Sequence, residues 1–230
     1  MSRISPIHIL RKPISAVLFD LDGTLIETHI DFPAMTQAMH RMAQEAGVAS
    51  HVVAGRNILS IVEAAQNDLN QRGQNGGAFR QDAFAVLEEI EVAGCSQPIL
   101  LPGTLDCLTQ LCNCGVAVGI VTRNCRRVAT SLVARFHIPY AVLLTRDDVL
   151  RAKPHPEHLH EALSQLSAVP EQAMMVGDHW MDVQAGKAAG CALTIGVLGR
   201  RSADWFTPCP PDRMVGDLSE VALLITSSPA

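Results

Sequence analysis

Residues Ala16-Val17-Leu18-Phe19 form an apolar, β-favouring run that stops abruptly at Asp20-Leu21-Asp22-Gly23-Thr24. Such a run reads as a buried strand, with Gly23 as the turn former that closes it. Side chains alternate along a strand, so two acids one residue apart start on the same side. The C-terminal edge of a parallel sheet is where α/β proteins place their chemistry. Two anions held there are costly without a cation. The plain alternative is an Asp-Gly turn, with Asp20 as a solvated strand terminus.

The chain beyond this strand changes character twice. From about Thr28 to Gly94 no strand pattern is found, and three sets fall at helical spacing: Met35, Ala38, Met39 and Met42; Ile58, Ile61, Val62 and Ala65; Phe79, Ala83, Val86, Leu87 and Ile90. Asp31 ahead of Pro33 resembles a helix start, Gly47 a stop, and Gln74-Asn75-Gly76-Gly77 a connection. The Met stripe reads as packing, since Met fills irregular cores. After Pro98 helices and strands alternate. Helical faces at Thr104–Cys114, around Val128–Phe136 and from Pro156 separate strands at Val116–Val121, Tyr140–Leu144 and Ala173–Val176. A short Ala-rich helix ending near Gly190 precedes a strand at Leu193–Val197. A last pair of short elements covers Met214–Val215 and Leu218–Ile225, with Pro208, Pro210 and Pro211 in a loop before the final strand. The pattern predicts an α/β fold, a Rossmann-like doubly wound parallel sheet. An all-helical insert, residues 28–94, interrupts it, leaving 1–27 and 95–230 as the core domain.

Composition narrows the partners. A 230-residue chain that is 48% hydrophobic suits one large domain or a domain with a smaller insert. A net charge of -5 without a Lys/Arg-rich run argues against nucleic acid or an anionic membrane as the main partner, leaving small polar substrates. Residues 1–13 lack the apolar stretch of a signal peptide, and nothing later reaches the roughly 20 apolar residues of a membrane span. The expectation is a cytoplasmic protein; oligomeric state is left open. Seven cysteines, an odd and scattered number, suggest reduced core thiols. Cys112-Asn113-Cys114 has no second pair for a metal, and Cys112 is expected to continue a helical apolar face with Leu105, Leu108 and Leu111.

Comparing strand ends brings out the chemistry. The strand closing at Val121 runs into Thr122-Arg123-Asn124, which places a hydroxyl and backbone amides at the same edge as Asp20. Lys153-Pro154-His155-Pro156 holds the first of only two lysines beyond Lys12, stiffened by two prolines. The strand closing at Val176 runs into Gly177-Asp178-His179-Trp180-Met181-Asp182. Four acids, one lysine and one threonine converge if the sheet is parallel. They repel one another unless a divalent cation sits among them, and hard oxygen donors suit Mg2+. The same cation and Lys153 would stabilise a transferring phosphoryl group.

Asp20-Leu21-Asp22-Gly23-Thr24, Thr122, Lys153-Pro154-His155-Pro156 and Gly177-Asp178 with Asp182 resemble, in order and spacing, the four motifs of the haloacid dehalogenase (HAD) superfamily. The insert resembles the helical cap of its phosphoglycolate phosphatase-like subfamily. This resemblance implies a Mg2+-dependent phosphatase acting on a small phosphorylated metabolite. Asp20 would attack phosphorus to form an aspartyl-phosphate, and Asp22 would act as general acid and then base. Asp20, the Asp22 carbonyl and Asp178 would hold the Mg2+, with Asp182 as a further ligand or a partner through water. Thr122 and the Arg123 amide would bind phosphoryl oxygens, Asn124 would bond phosphate or the neighbouring loop, and Lys153 would orient Asp20. Dehalogenases of the superfamily lack the second carboxylate that Asp22 supplies, and phosphonate-cleaving members need a cap lysine where this chain has none between Lys12 and Lys153. A β-phosphoglucomutase-like phosphotransferase and a non-turnover phospho-acceptor or sensor domain are the alternatives. A dinucleotide-binding module would need a G-x-G-x-x-G loop after the first strand, which is missing.

Specificity is expected on the cap loops that close over the site. Gly55 and Arg56, at a helix start, are the candidates for meeting a carboxylate or second anionic group. Phe32, near the hinge, reads as core packing, with packing over the substrate as the alternative, and His29, His40 and His51 as surface or partly packed. If Arg56 reads an anionic leaving group, Arg56→Ala raises KM for carboxylated phosphate esters more than for a neutral aryl phosphate. Equal effects on both would remove it from the site.

Overall fold

The structure, a computed structural model, describes residues 14–199 and 201–226. The reading of residues 1–13 lies outside these. In chain order the elements are β1 (Ala16–Phe19), β2 (Ile26–Glu27), α1 (Phe32–Glu45), α2 (Ser50–Val53), α3 (Ile58–Gln71), α4 (Gly76–Gly94) and β3 (Ile99–Leu100). There follow α5 (Thr104–Asn113), β4 (Ala117–Val121), α6 (Arg126–Arg135), β5 (Val142–Leu144), α7 (Glu157–Gln165), β6 (Ala173–Gly177), α8 (Trp180–Ala189), β7 (Leu193–Val197), β8 (Arg213–Val215) and α9 (Leu218–Thr226). They form two compact units: the chain up to Thr28 with that from Pro98 onward, and His29–Gln97.

The first unit is a doubly wound parallel sheet in the order β5-β4-β1-β6-β7-β8. Every residue of β1 is fully buried, as a strand covered on both faces requires. Ala16 and Leu18 pack in a cluster with Leu159 and Leu163 of α7 and Ala185 and Ala189 of α8. Val17 and Phe19 point the other way by alternation, and burying side chains of this size stabilises by roughly 1.5–3 kcal/mol each. The sheet order runs outward from β1 in both directions, so β1 ends at the switch point where α/β sheets open a crevice.

The second unit is all helical, built on the predicted stripes. Asp31 caps α1 by accepting from the Ala34 amide at 2.8 Å, and Asn75 caps α4 by accepting from Ala78 at 3.0 Å. Met35, Met39, Ile61, Val62, Ala65, Phe79, Ala83 and Leu87 form one buried cluster. The structure adds α2, a single turn too short to show a period. Phe32, expected in the core, is 47% exposed at the first position of α1, although its spacing puts it on the face of Met35 and Met39. His29 and His51 are exposed and His40 is half-buried.

Two further differences concern the first unit. β2 and β3 pair antiparallel, Ile26 opposite Leu100, as a two-residue ribbon just outside the helical insert. On α5 the buried face is Thr104, Cys107, Leu108 and Leu111, while Leu105 is 37% exposed and Cys112 lies on the surface. α5 packs on α9, and that contact selects the stripe one step round from the expected one. Of the seven free cysteines only Cys107 and Cys125 are buried, so the thiols are not mainly core residues. Among the described residues no helix is long and apolar enough to cross a membrane.

Candidate active site

β1 delivers Asp20 to the sheet edge, where its amide donates to the Val176 carbonyl of β6 at 2.9 Å. The chain then turns at Gly23, whose φ of +86° suits glycine. A Cβ there would lie 2.2 Å from Asp178 Oδ2, so this glycine lets the loop after β1 and the loop after β6 meet. Asp178 ends β6, and Asp182 sits at the third position of α8. There Asp182 Oδ2 accepts from the His179 amide at 3.1 Å, closing a capping box. Oxygens of Asp20, Asp178 and Asp182 lie within 4.8 Å of one another.

Lys153 reaches this group from the loop before α7. Its Nζ donates to Asp20 Oδ1 at 2.6 Å and to Asp182 Oδ1 at 2.7 Å, and the residue is 1% exposed. Burial works against its charge, yet Asp182 and Asp20 outweigh it and hold the ammonium above the usual lysine range. Burial pushes the Asp20 carboxyl up to about 7, with Asp182 and Asp22 adding to the rise and Lys153 opposing it. Burial also lifts Asp178 well above the carboxylate range, reinforced by Asp20 and opposed by Arg201. Three close carboxylates thus face one buried ammonium and a partly exposed guanidinium. Two of the three are driven towards neutrality, and their crowded hard oxygens have the donor chemistry of a divalent cation site.

Asp22 stands apart from the three. Its Oδ1 accepts from Thr28 Oγ1 at 2.7 Å and from the Thr28 amide at 3.1 Å. Thr122, buried at the end of β4, donates its amide to Leu144 at 2.9 Å, and its Oγ1 accepts from the Asn124 amide at 3.2 Å. The buried Asn124 Nδ2 has no hydrogen-bond partner. Arg123 donates from a terminal nitrogen to Met181 Sδ at 3.2 Å, and its carbonyl accepts from Arg146 at 3.1 Å. Arg56 belongs to the helical unit, where its exposed side chain donates from Nε to the Val52 carbonyl at 2.6 Å.

Several neighbours carry no sequence signal of their own. Arg201 pairs with Asp178 from the irregular stretch after β7. Thr28 holds Asp22, and Thr24, inside the first motif, donates its Oγ1 to Asp178 Oδ1 at 3.4 Å. His158, fully buried, accepts the Lys153 amide on Nδ1 at 3.3 Å. Burial, helped by the Lys153 charge, lowers its pKa to about 3. A histidine neutral in the fold but titrating near 6.5 when unfolded gives stability that is complete above that value and lost as pH falls towards 3. The expected loss by pH 4 is about 3 kcal/mol. Urea unfolding at pH 7 and pH 4 measures it, and the drop should be smaller in His158→Gln; an equal drop would contradict the assignment.

Fold and site together place a charged centre at the carboxyl end of a parallel α/β sheet. Residues 14–190 match the family model described as haloacid dehalogenase-like hydrolase, and the chain belongs to that family. It is 34% identical over 188 residues to the N-acetylmuramic acid 6-phosphate phosphatase of Pseudomonas aeruginosa, covering 78% of this chain and 80% of that one. To the phosphoglycolate phosphatase of Salmonella typhi it is 30% identical over 200 residues, covering 77% and 79%. The crystal structure of a HAD phosphatase from Thermococcus onnurineus superposes with a TM-score of 0.63 at 22% identity, covering 94% of this chain and all of that one.

Proposed function

We propose that this chain is a Mg2+-dependent phosphatase that hydrolyses a small phosphate monoester, phosphoglycolate phosphatase-like, through an aspartyl-phosphate. The observation that carries the reading is Lys153 Nζ bonded to both Asp20 and Asp182, with Asp178 in the same cluster. The phosphatase names of relatives at 30% identity and above support it.

Asp20 is the nucleophile. Lys153 fixes its carboxylate and offsets the charge on the transferring group, so that the attack on phosphorus starts from an oriented anion. Asp22, held by Thr28, protonates the leaving oxygen and then takes the proton of the water that hydrolyses the aspartyl-phosphate. Thr122 Oγ1 and the Arg123 amide bind phosphoryl oxygens at the end of β4, and Asn124 Nδ2 is a further donor there. Asp20, the Asp22 carbonyl and Asp178 would hold the Mg2+. Asp182, with one oxygen on Lys153 and the other on the His179 amide, anchors the lysine. When bound, the cation stabilises charge on the phosphoryl oxygens and returns Asp20 to its anionic form.

Phosphate release from a neutral aryl phosphate, with Mg2+ and with EDTA, tests the reading. Repeated Mg2+-dependent turnover is expected. A single stoichiometric phosphorylation would favour an acceptor domain, and a sugar phosphate offered instead that is isomerised without release would favour a mutase. A panel of 2-phosphoglycolate, N-acetylmuramic acid 6-phosphate, other sugar phosphates and nucleoside monophosphates then ranks substrates by kcat/KM.

A further inference from the structure

The Arg201 guanidinium lies 2.6 Å from Asp178 Oδ2 and also reaches the Asp178 carbonyl at 3.3 Å. The contact is an ion pair without hydrogen-bond alignment, since Asp178 Oδ2 is buried and has no hydrogen-bond partner. The two ends differ in exposure: the Asp178 side chain is 6% exposed and that of Arg201 is 38% exposed. A second support holds the guanidinium, which stacks 4.7 Å from the Trp205 ring. Trp205 in turn meets His179 edge-on, with ring centroids 5.4 Å apart. Arg201 is therefore tethered beside the carboxylates by an aromatic contact and can leave Asp178 without losing its place in the fold. Lys153 cannot, being enclosed between Asp20 and Asp182.

We propose that Arg201 is a displaceable counter-ion of Asp178, which competes with the divalent cation for that carboxylate and so sets the affinity of the site for the ion. The proposal rests on the cation reading above. A guanidinium 2.6 Å from Asp178 Oδ2 opposes a divalent ion on the same carboxylate, because the two positive charges repel at short range. Binding the ion therefore includes the cost of breaking a partly screened pair. Removing the guanidinium removes that cost.

Calorimetric titration of the full chain with Mg2+ and with Mn2+ tests this at low and high salt, comparing wild type with Arg201→Met, which removes the charge and keeps an unbranched apolar side chain. The variant is expected to bind the ion about two- to fivefold more tightly at low salt. The gap should narrow as salt rises. In a Trp180→Phe background Trp205 is the sole tryptophan, and its emission should respond to the ion when Arg201 is present and not in the Arg201→Met variant. Equal or weaker binding by an Arg201→Met protein that melts cooperatively would overturn the proposal while leaving the cation site standing. Failure of wild type to take up either ion would sink the cation reading and this proposal with it.

Discussion

Turnover of a phosphate monoester by Asp20→Asn is expected to fall by at least about a thousandfold, the loss typical of removing a covalent nucleophile. Asparagine keeps the size of the side chain and its bond from Lys153 Nζ, which donates to Oδ1 at 2.6 Å. What disappears is the negative charge and the oxygen that the proposed mechanism bonds to phosphorus. Burial raises the Asp20 pKa to about 7, so the charged carboxylate is itself a strained state in the unliganded fold. A raised folded-state pKa means that stability present below the unfolded value is lost as pH rises through 7. Asp20→Asn removes that penalty, so the inactive variant should melt no lower than wild type at pH 8. Residual activity near wild type in purified Asp20→Asn protein would exclude covalent catalysis at this position.

Lys153→Met should damage both activity and stability. The ammonium is the only buried cation between Asp20 and Asp182 among the described residues, and removing one partner of a buried charged group costs about 3–5 kcal/mol. The cost has a pH signature. Without Lys153 the Asp20 carboxyl titrates still higher, so protonation relieves the clash with Asp182 as pH falls. Thermal melts should therefore show a large deficit against wild type at pH 8 and a smaller one at pH 5. An equal deficit at both would mean that Lys153 acts through packing. Turnover should fall by about a hundredfold or more, since neither the nucleophile nor the transferring charge is then oriented.

Strand ends carried most of what could be read in advance. The run Ala16–Phe19 and the strands at Ala117–Val121, Ala173–Gly177 and Leu193–Val197 are apolar stretches broken by acids, glycine or threonine, a signal that survives without knowledge of the neighbours. Lys153 stood out because lysine is rare in this chain. The short elements β2, β3 and α2 were missed, since a period cannot show in one turn or one pair. On α5 two apolar stripes overlap, and packing against α9 chose Cys107 over Cys112. The partners of the site follow the same rule. Arg201, Thr28 and His158 come from loops and a helix start with ordinary local sequences, and only the folded chain brings them to Asp178, Asp22 and Lys153.

The most direct test of the account is to quench the enzyme in acid during turnover of an aryl phosphate with Mg2+ and to sequence its peptides by mass spectrometry. The account predicts one phosphoryl group on the peptide spanning β1, located at Asp20 and absent from Asp20→Asn. Steady release of phosphate with no phosphorylated peptide, or with the label on another residue, would contradict it.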